Sequence, residues 1–272
     1  VCTFENTQRG SLTVVKDATG GDGAFPFVSQ SLGAFTLTTT SGAAQRTFTN
    51  LVPGRYDLGE ATPAGWRLDG ATCSDGSNPA SVAVDPGEDV TCTFANTRLD
   101  TIIVVKRAVG GDAAFPFTSQ TLTPGNFNLT TVNGEAQRVF DNLAPGTYDL
   151  SESAVAGWTQ SSASCSDGSS LSAINLSAGE TVVCVFINLR QDTIVVEKKT
   201  TGGDGAFAFV GSPQPLGAFS LTTRSGVTST AFTGLQAGVY SISETVPAGW
   251  SLDLAACDNG DAPDAIRLAP GE

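Results

Sequence analysis

Gly54-Arg55-Tyr56-Asp57-Leu58-Gly59-Glu60, running on to Pro63-Ala64-Gly65-Trp66, is the stretch from which the rest of the chain can be read. Tyr56, Leu58 and Glu60 stand two residues apart, the alternation of a strand with one face turned inward. Pro63 to Gly65 then ends it as a turn. The stretch returns as Gly238-Val239-Tyr240-Ser241-Ile242-Ser243-Glu244 with Pro247-Ala248-Gly249-Trp250, and Tyr148, Leu150 and Glu152 repeat its alternation between the two. Tyr56, Tyr148 and Tyr240 are spaced by 92 residues, as are Trp66, Trp158 and Trp250; Cys2, Cys92 and Cys184 are spaced by 90 and 92. A period of about 90 residues is long enough for a small domain with its own core, so three tandem modules are expected rather than a solenoid of short units.

Composition bounds what such a chain does. A net charge of -13 with no histidine argues against nucleic acid as a partner, because phosphates need a basic surface. No apolar run approaches the length of about 18 residues that a membrane span requires, so no span is expected, and these residues are expected to be mature sequence without a signal peptide. The six cysteines keep step with the repeat: Cys73 with Cys92, Cys165 with Cys184, and Cys257 with no later partner. Repeat-locked pairs without histidine or CxxC spacing read as disulfides rather than zinc ligands, which places the chain outside the cytosol, extracellular or at a cell surface. A bridge closing a loop of this size is worth about 3 kcal/mol in the chain-entropy picture.

Within a module, short apolar segments alternate with Gly, Pro and Asp turns, and no 3.6-residue period emerges. Leu12 to Lys16 opens, Phe25-Pro26-Phe27 and Phe35-Thr36-Leu37 follow, and Val90 to Asn96 closes. The expected fold class is all-β: three tandem Ig-like antiparallel β-sandwiches in a rod, the third lacking its last strand. The divisions fall at residues 1–9 (a spare closing strand), 10–98, 99–190 and 191–272. The joints Thr97 to Asp100 and Leu189 to Asp192 are a few residues long and lack glycine, which favours stiff beads over flexible tethers.

The G-x-Y-x-L-x-E…P-x-G-W pattern quoted above resembles the signature of Cna B-type, SpaA-like domains of bacterial surface proteins and pilins, and the resemblance covers all three repeats. It implies a prealbumin-like (transthyretin-like) sandwich and a role in the stalk or shaft of a surface structure. It also implies a self-formed isopeptide bond, in which a first-strand Lys attacks a last-strand Asn with an acidic residue between them shuttling protons. The matching positions are Lys16, Glu60 and Asn96, then Lys106, Glu152 and Asn188, then Lys198 and Glu244, whose Asn would be Asn6.

Strand parity bears on this independently of the family. Leu12, Val14 and Lys16 share a face, as do Val90, Cys92, Phe94 and Asn96, so each polar residue falls on the apolar, inward side. The second module repeats the pattern with Ile102, Val104 and Lys106 and with Cys184, Phe186 and Asn188. Burial lowers the pKa of a lysine and raises that of a carboxylic acid, which provides the neutral amine and protonated acid that amide exchange needs. Three of the chain's four lysines occupy this one position. The alternative is a Lys–Glu salt bridge near the sandwich edge with Asn capping a turn, the disulfide taking over the work of the cross-link.

Other candidates read more simply. The three Trp follow turns at one repeat position and suit packing or a joint better than a carbohydrate platform. The acidic loops at Ser74-Asp75-Gly76, Ser166-Asp167-Gly168 and Asp258 to Asp261 lack the spacing of a calcium loop and read as solvated turns. Gly20-Gly21-Asp22 and its copies are turns rather than phosphate loops. Without histidine, Ser–His and Cys–His catalysis are excluded, and no cofactor or metal is expected. Asn128-Leu129-Thr130 and Asn175-Leu176-Ser177 are glycan sequons by pattern.

The phrase Val1-Cys2-Thr3-Phe4-Glu5-Asn6-Thr7 recurs as Thr91 to Thr97 and, loosened, as Val183 to Leu189, where it closes a module. A module without its last strand exposes a sheet edge and an apolar groove, and a strand carrying Cys2, Phe4 and Asn6 on one face fits that vacancy. The expectation is head-to-tail assembly: residues 1–7 of one subunit complete the third module of the next, with Cys2 bridged to Cys257 and Asn6 beside Lys198 and Glu244. The same contact would be ordinary continuity if the sequence were a window of a longer repeat protein. The competing function is an adhesin stalk whose loops grip a surface or glycan ligand.

Overall fold

The computed structural model describes residues Val1–Glu272, and its regular structure is almost wholly β. In the first module nine strands follow in order: β1 Gly10–Thr19, β2 Ala24–Val28, β3 Phe35–Thr38, β4 Ala43–Leu51, β5 Gly54–Tyr56, β6 Gly59–Glu60, β7 Trp66–Cys73, β8 Val82–Val84 and β9 Asp89–Arg98. One face of the sandwich is a four-stranded sheet in the order β4-β1-β9-β7; opposite it lie β3-β2-β6 and the pair β5-β8. All ladders are antiparallel except one. β1 and β9, the first and last strands, run parallel, with Val14 opposite Cys92 and Lys16 opposite Phe94. The expected antiparallel sandwich is therefore present with a single parallel seam at its centre.

Alternation of apolar residues builds this arrangement as parity predicts. Leu12, Val14, Val90, Cys92 and Phe94 are buried along the seam, facing Phe25, Phe27, Leu37 and Leu58 from the opposite layer. The Trp residues close one end: Trp66 meets Phe25 edge-on at 4.9 Å, and Trp158–Phe115 and Trp250–Phe207 repeat the contact at 5.2 and 5.1 Å. Tyr56 holds the turn before it by donating to Val52 O at 2.7 Å, as Tyr148 does to Ala144 O and Tyr240 to Gln236 O.

The second module repeats the plan with Asp100–Val109 and Thr181–Arg190 as its parallel centre. A single residue, Leu99 or Gln191, separates successive modules, and each is pinned by its backbone N–H to the turn before the Trp, at Gly65 O and Gly157 O. In the third module Asp192–Lys199 pairs only with Val227–Leu235, and no segment of the chain takes the place of β9. Trp250 to Cys257, the counterpart of β7, forms no strand; Leu252 and Leu254 are exposed. The buried apolar set splits into clusters of six and three residues, bridged by the partly buried Val196 and Ile242, where the first module holds one of 13 that includes Phe94. No helix is long and apolar enough to cross a membrane.

Candidate functional site

The parallel seam brings together the residues singled out by parity. Lys16, on the inward face of β1, is fully buried; its Nζ donates to Asn96 Oδ1 at 2.7 Å, Phe94 O at 2.8 Å and Asp17 O at 3.1 Å. Glu60, carried in from the opposite layer by β6, completes the group. Its Oε2 lies 3.5 Å from Nζ, and its Oε1 accepts from Asn96 Nδ2 at 2.6 Å. Phe25 caps the cluster, its ring centre 4.4 Å from Nζ. The group sits inside the sandwich rather than at its edge, and Asn96 caps no turn.

The second module brings the same residues together, except that Lys106 Nζ makes no hydrogen bond to Asn188 Oδ1. Lys106 Nζ is 3.3 Å from Glu152 Oε2, Asn188 Nδ2 donates to Glu152 Oε1 at 2.6 Å, and Phe115 lies 4.3 Å away. Asn188 Oδ1 is buried with no hydrogen-bond partner, leaving that carbonyl free for Lys106. In the third module Lys198 and Glu244 meet alone: Nζ bonds both carboxylate oxygens, at 2.8 and 3.0 Å. Their side chains are 13% and 9% exposed, against none for Lys16 and Glu60, because no closing strand covers them.

Electrostatics follow burial. Desolvation holds the Lys16 and Lys106 amines below the ordinary lysine range, and the neighbouring carboxylates of Glu60 and Glu152 oppose the shift only in part. A depressed amine pKa raises the fraction of neutral nucleophile at physiological pH. The arrangement suits amide exchange: an amine against a carboxamide, with a carboxyl group hydrogen-bonded to the nitrogen that would leave.

The remaining predicted residues divide cleanly. Cys73–Cys92 and Cys165–Cys184 are disulfides, each between directly paired residues of neighbouring strands. Cys2 is exposed and free, Cys257 is half-buried and free, and Asn6 lies exposed in residues 1–9, which form no strand before Gly10. The acidic loops fold on themselves: Asp75 accepts from the N–H and hydroxyl of Ser77, Asp167 from those of Ser169. No three His, Cys, Asp or Glu side chains converge as a metal set. Sequence reasoning missed the aromatic cap, although Phe25, Phe115 and Phe207 recur at the same 90 and 92 spacing as the lysines.

The three repeated sandwiches, two of them with a parallel first-and-last seam, are prealbumin-like modules. The chain belongs to the family of SpaA-type prealbumin-like fold domains, whose model matches residues 12–98, 102–190 and 194–270. Among solved structures it is similar to the Bacillus anthracis TIE protein, at 18% identity over 97% of this chain, with a TM-score of 0.36. The chain spans 48% of that protein's length. It is also similar to a streptococcal ancillary pilin (13% identity, 96% of each chain, TM-score 0.28). A third likeness is to BcpA, the major pilin subunit of Bacillus cereus (12% identity, 96% of this chain and 93% of that one, TM-score 0.32). No curated protein matches the chain.

Proposed function

We propose that this chain is a structural segment of an extracellular surface filament, its modules locked internally by covalent bonds and its copies joined head to tail by strand donation. The observation that carries the reading is the half-occupied strand Asp192–Lys199. Its counterparts Gly10–Thr19 and Asp100–Val109 each lie between two neighbours, whereas it has one. Residues 1–7 carry the alternating set that the closing strands use, with Cys2, Phe4 and Asn6 in the places of Cys92, Phe94 and Asn96. Seated beside Asp192–Lys199, that strand would bring Cys2 to Cys257 and Asn6 to Lys198 and Glu244, and would cover Phe209 as Phe94 covers Phe27.

The covalent part of the reading rests on the two complete groups. The neutral amine of Lys16 attacks Asn96 Cγ, a new N–C bond forms and the carboxamide C–N bond breaks. Glu60 gives a proton to the departing nitrogen and regains one from the attacking amine, so ammonia leaves and Glu60 ends as it began. Lys106, Glu152 and Asn188 run the same step. Each bond forms once and turns nothing over, so the chain does not act as an enzyme on other molecules.

Two measurements test the proposal. The intact mass of the oxidised chain should fall by about 17 Da per amide formed, the mass of ammonia; an unchanged mass removes the isopeptides and leaves buried ion pairs. Deleting residues 1–7 should abolish concentration-dependent assembly in sedimentation velocity. Assembly that persists after the deletion refutes strand donation.

A further inference from the structure

The four-stranded sheet of the second module, in the spatial order Glu135–Leu143, Asp100–Val109, Thr181–Arg190 and Trp158–Cys165, has an inward and an outward face. Ile102, Val104, Val182, Cys184 and Phe186 belong to the core, so the residues between them point outward. Those residues are aliphatic. Ile103 lies between Val139 and Val183 across the strands, Val105 lies beside Val185, and Ile187 follows Val185 on the same face. None of the six is part of the module's core; they are half-buried or exposed, Val139 at 50%. No charge stands among them, and at their edge Arg107 and Glu135 pair at 3.1 Å.

The first module provides the comparison for this surface. Where the second has Ile103, Val139, Val183 and Val185, the first has Thr13, Thr47, Thr91 and Thr93 in the same cross-strand register, and Ala95 takes the place of Ile187. The hydroxyls of Thr13 and Thr47 lie 3.0 Å apart. The third module presents Glu197 and Lys199, joined as an ion pair, on its first strand. Threonine, valine and isoleucine are all β-branched and suit an exposed strand equally, so local propensity does not account for methyl in place of hydroxyl. A contiguous aliphatic cluster facing solvent marks a contact surface.

We infer that this outward face of the second module is a self-association surface, occupied by the same face of a second copy of this chain. Size supports that occupant. Four strands about 4.8 Å apart, each about nine residues long at about 3.3 Å per residue, offer about 570 Å². Two copies would then bury about 1,100 Å², the lower end of what a specific pair needs. Charge supports it as well. The chain carries a net charge of -13, which sets copies against one another over most of their surface, whereas the aliphatic centre of this face brings no charge to the contact. Two identical twisted sheets pack face to face with their strands nearly aligned, and a twofold axis closes the contact at two copies. Successive modules are held backbone to backbone, with Gly20 against Ala178 and Gly179, and Gly110 against Pro270 and Gly271. The face is therefore carried on a stiff rod, and little freedom is lost on pairing.

Sedimentation velocity of the 272-residue chain tests this, at concentrations up to about 100 μM, where a contact of this size is populated. A variant carrying Ile103→Thr, Val183→Thr and Val185→Thr takes the residues that the first module already holds at these places, so its melting temperature should match that of the unaltered chain. It should dimerise at least about tenfold more weakly. Val28→Thr with Val210→Thr, exposed at 58% and 56% on the opposite layers of the two flanking modules, should not. Raising salt should strengthen the dimer by screening the repulsion between acidic copies. A dimer that survives the triple change, that weakens with salt, or that never forms overturns the inference. If the triple variant melts lower, the converse changes Thr13→Ile, Thr91→Val and Thr93→Val decide: they should give the first module a second self-associating face, and association no stronger than that of the unaltered chain overturns the inference. Deleting residues 1–7, which form no strand, separates this contact from strand donation. The dimer should persist in that chain; its loss there assigns the association to strand donation and overturns the face-to-face pairing.

Discussion

At the scale of single residues, the cost of burying Lys16 governs the first module. As a free amine, before any amide forms, it has a lower pKa folded than unfolded, so the folded chain binds fewer protons in the interval between the two values. That penalty is complete below the folded pKa and is relieved as pH rises toward the ordinary lysine value of 10.5. Removing the neighbouring carboxylate leaves a charge with no counter-ion in a site with no solvent exposure. Glu60→Ala should therefore destabilise the module by about 3 kcal/mol or more, read as a lower denaturant midpoint; an unchanged midpoint would show that Glu60 does not compensate Lys16. Asp57 illustrates the opposite sign. The Ser31 hydroxyl, then the N–H groups of Gln30 and Ser31, hold its carboxyl at about 2. Its contribution is complete above 3.8 and is lost as pH falls toward 2. Acid unfolding of Asp57→Asn should accordingly lack the part of the slope that lies between those values.

At the scale of strands, the difference between modules lies in how many neighbours the first strand has. β1 donates and accepts on both sides, whereas Asp192–Lys199 is paired on one. Hydrogen exchange on the isolated chain should show alternate amides of Asp192–Lys199 exchanging far faster than those of Gly10–Thr19, with protection gained on assembly. Equal protection in the free chain would mean that the open side is covered by something within it. The faces of these strands were legible in the sequence: Lys16, Glu60 and Asn96 each lie two residues from an apolar neighbour that the fold buries, Val14, Leu58 and Phe94. The parallel pairing of β1 with β9 was not. Alternation states which side of a strand is inward and says nothing of which strand lies beside it.

At the scale of the whole molecule, the two free thiols, Cys2 and Cys257, give the proposed assembly a readout. Burial, then the nearby Asp261 and Asp258 carboxylates, raise the pKa of the Cys257 thiol, so little thiolate is present at neutral pH. Non-reducing gels should show ladders that form faster as pH rises and that vanish in Cys2→Ser. Ladders unaffected by Cys2→Ser would rule out the Cys2–Cys257 bridge. The tandem architecture was legible because Trp, Tyr and Cys return at one spacing. The joint was not, since Gly20-Gly21 reads in one dimension as any tight turn.

The amino-acid order alone determined that there are three copies of one β module, which side chains face inward and which cysteines pair, because repetition and two-residue alternation are properties of neighbours along a chain. Only the folded molecule decided that the first and last strands lie side by side, that Lys16 reaches Asn96 across that seam, and that glycines about 160 residues apart press backbone on backbone. Those contacts depend on how twisted sheets stack and meet in space, and no local pattern of residues encodes that distance.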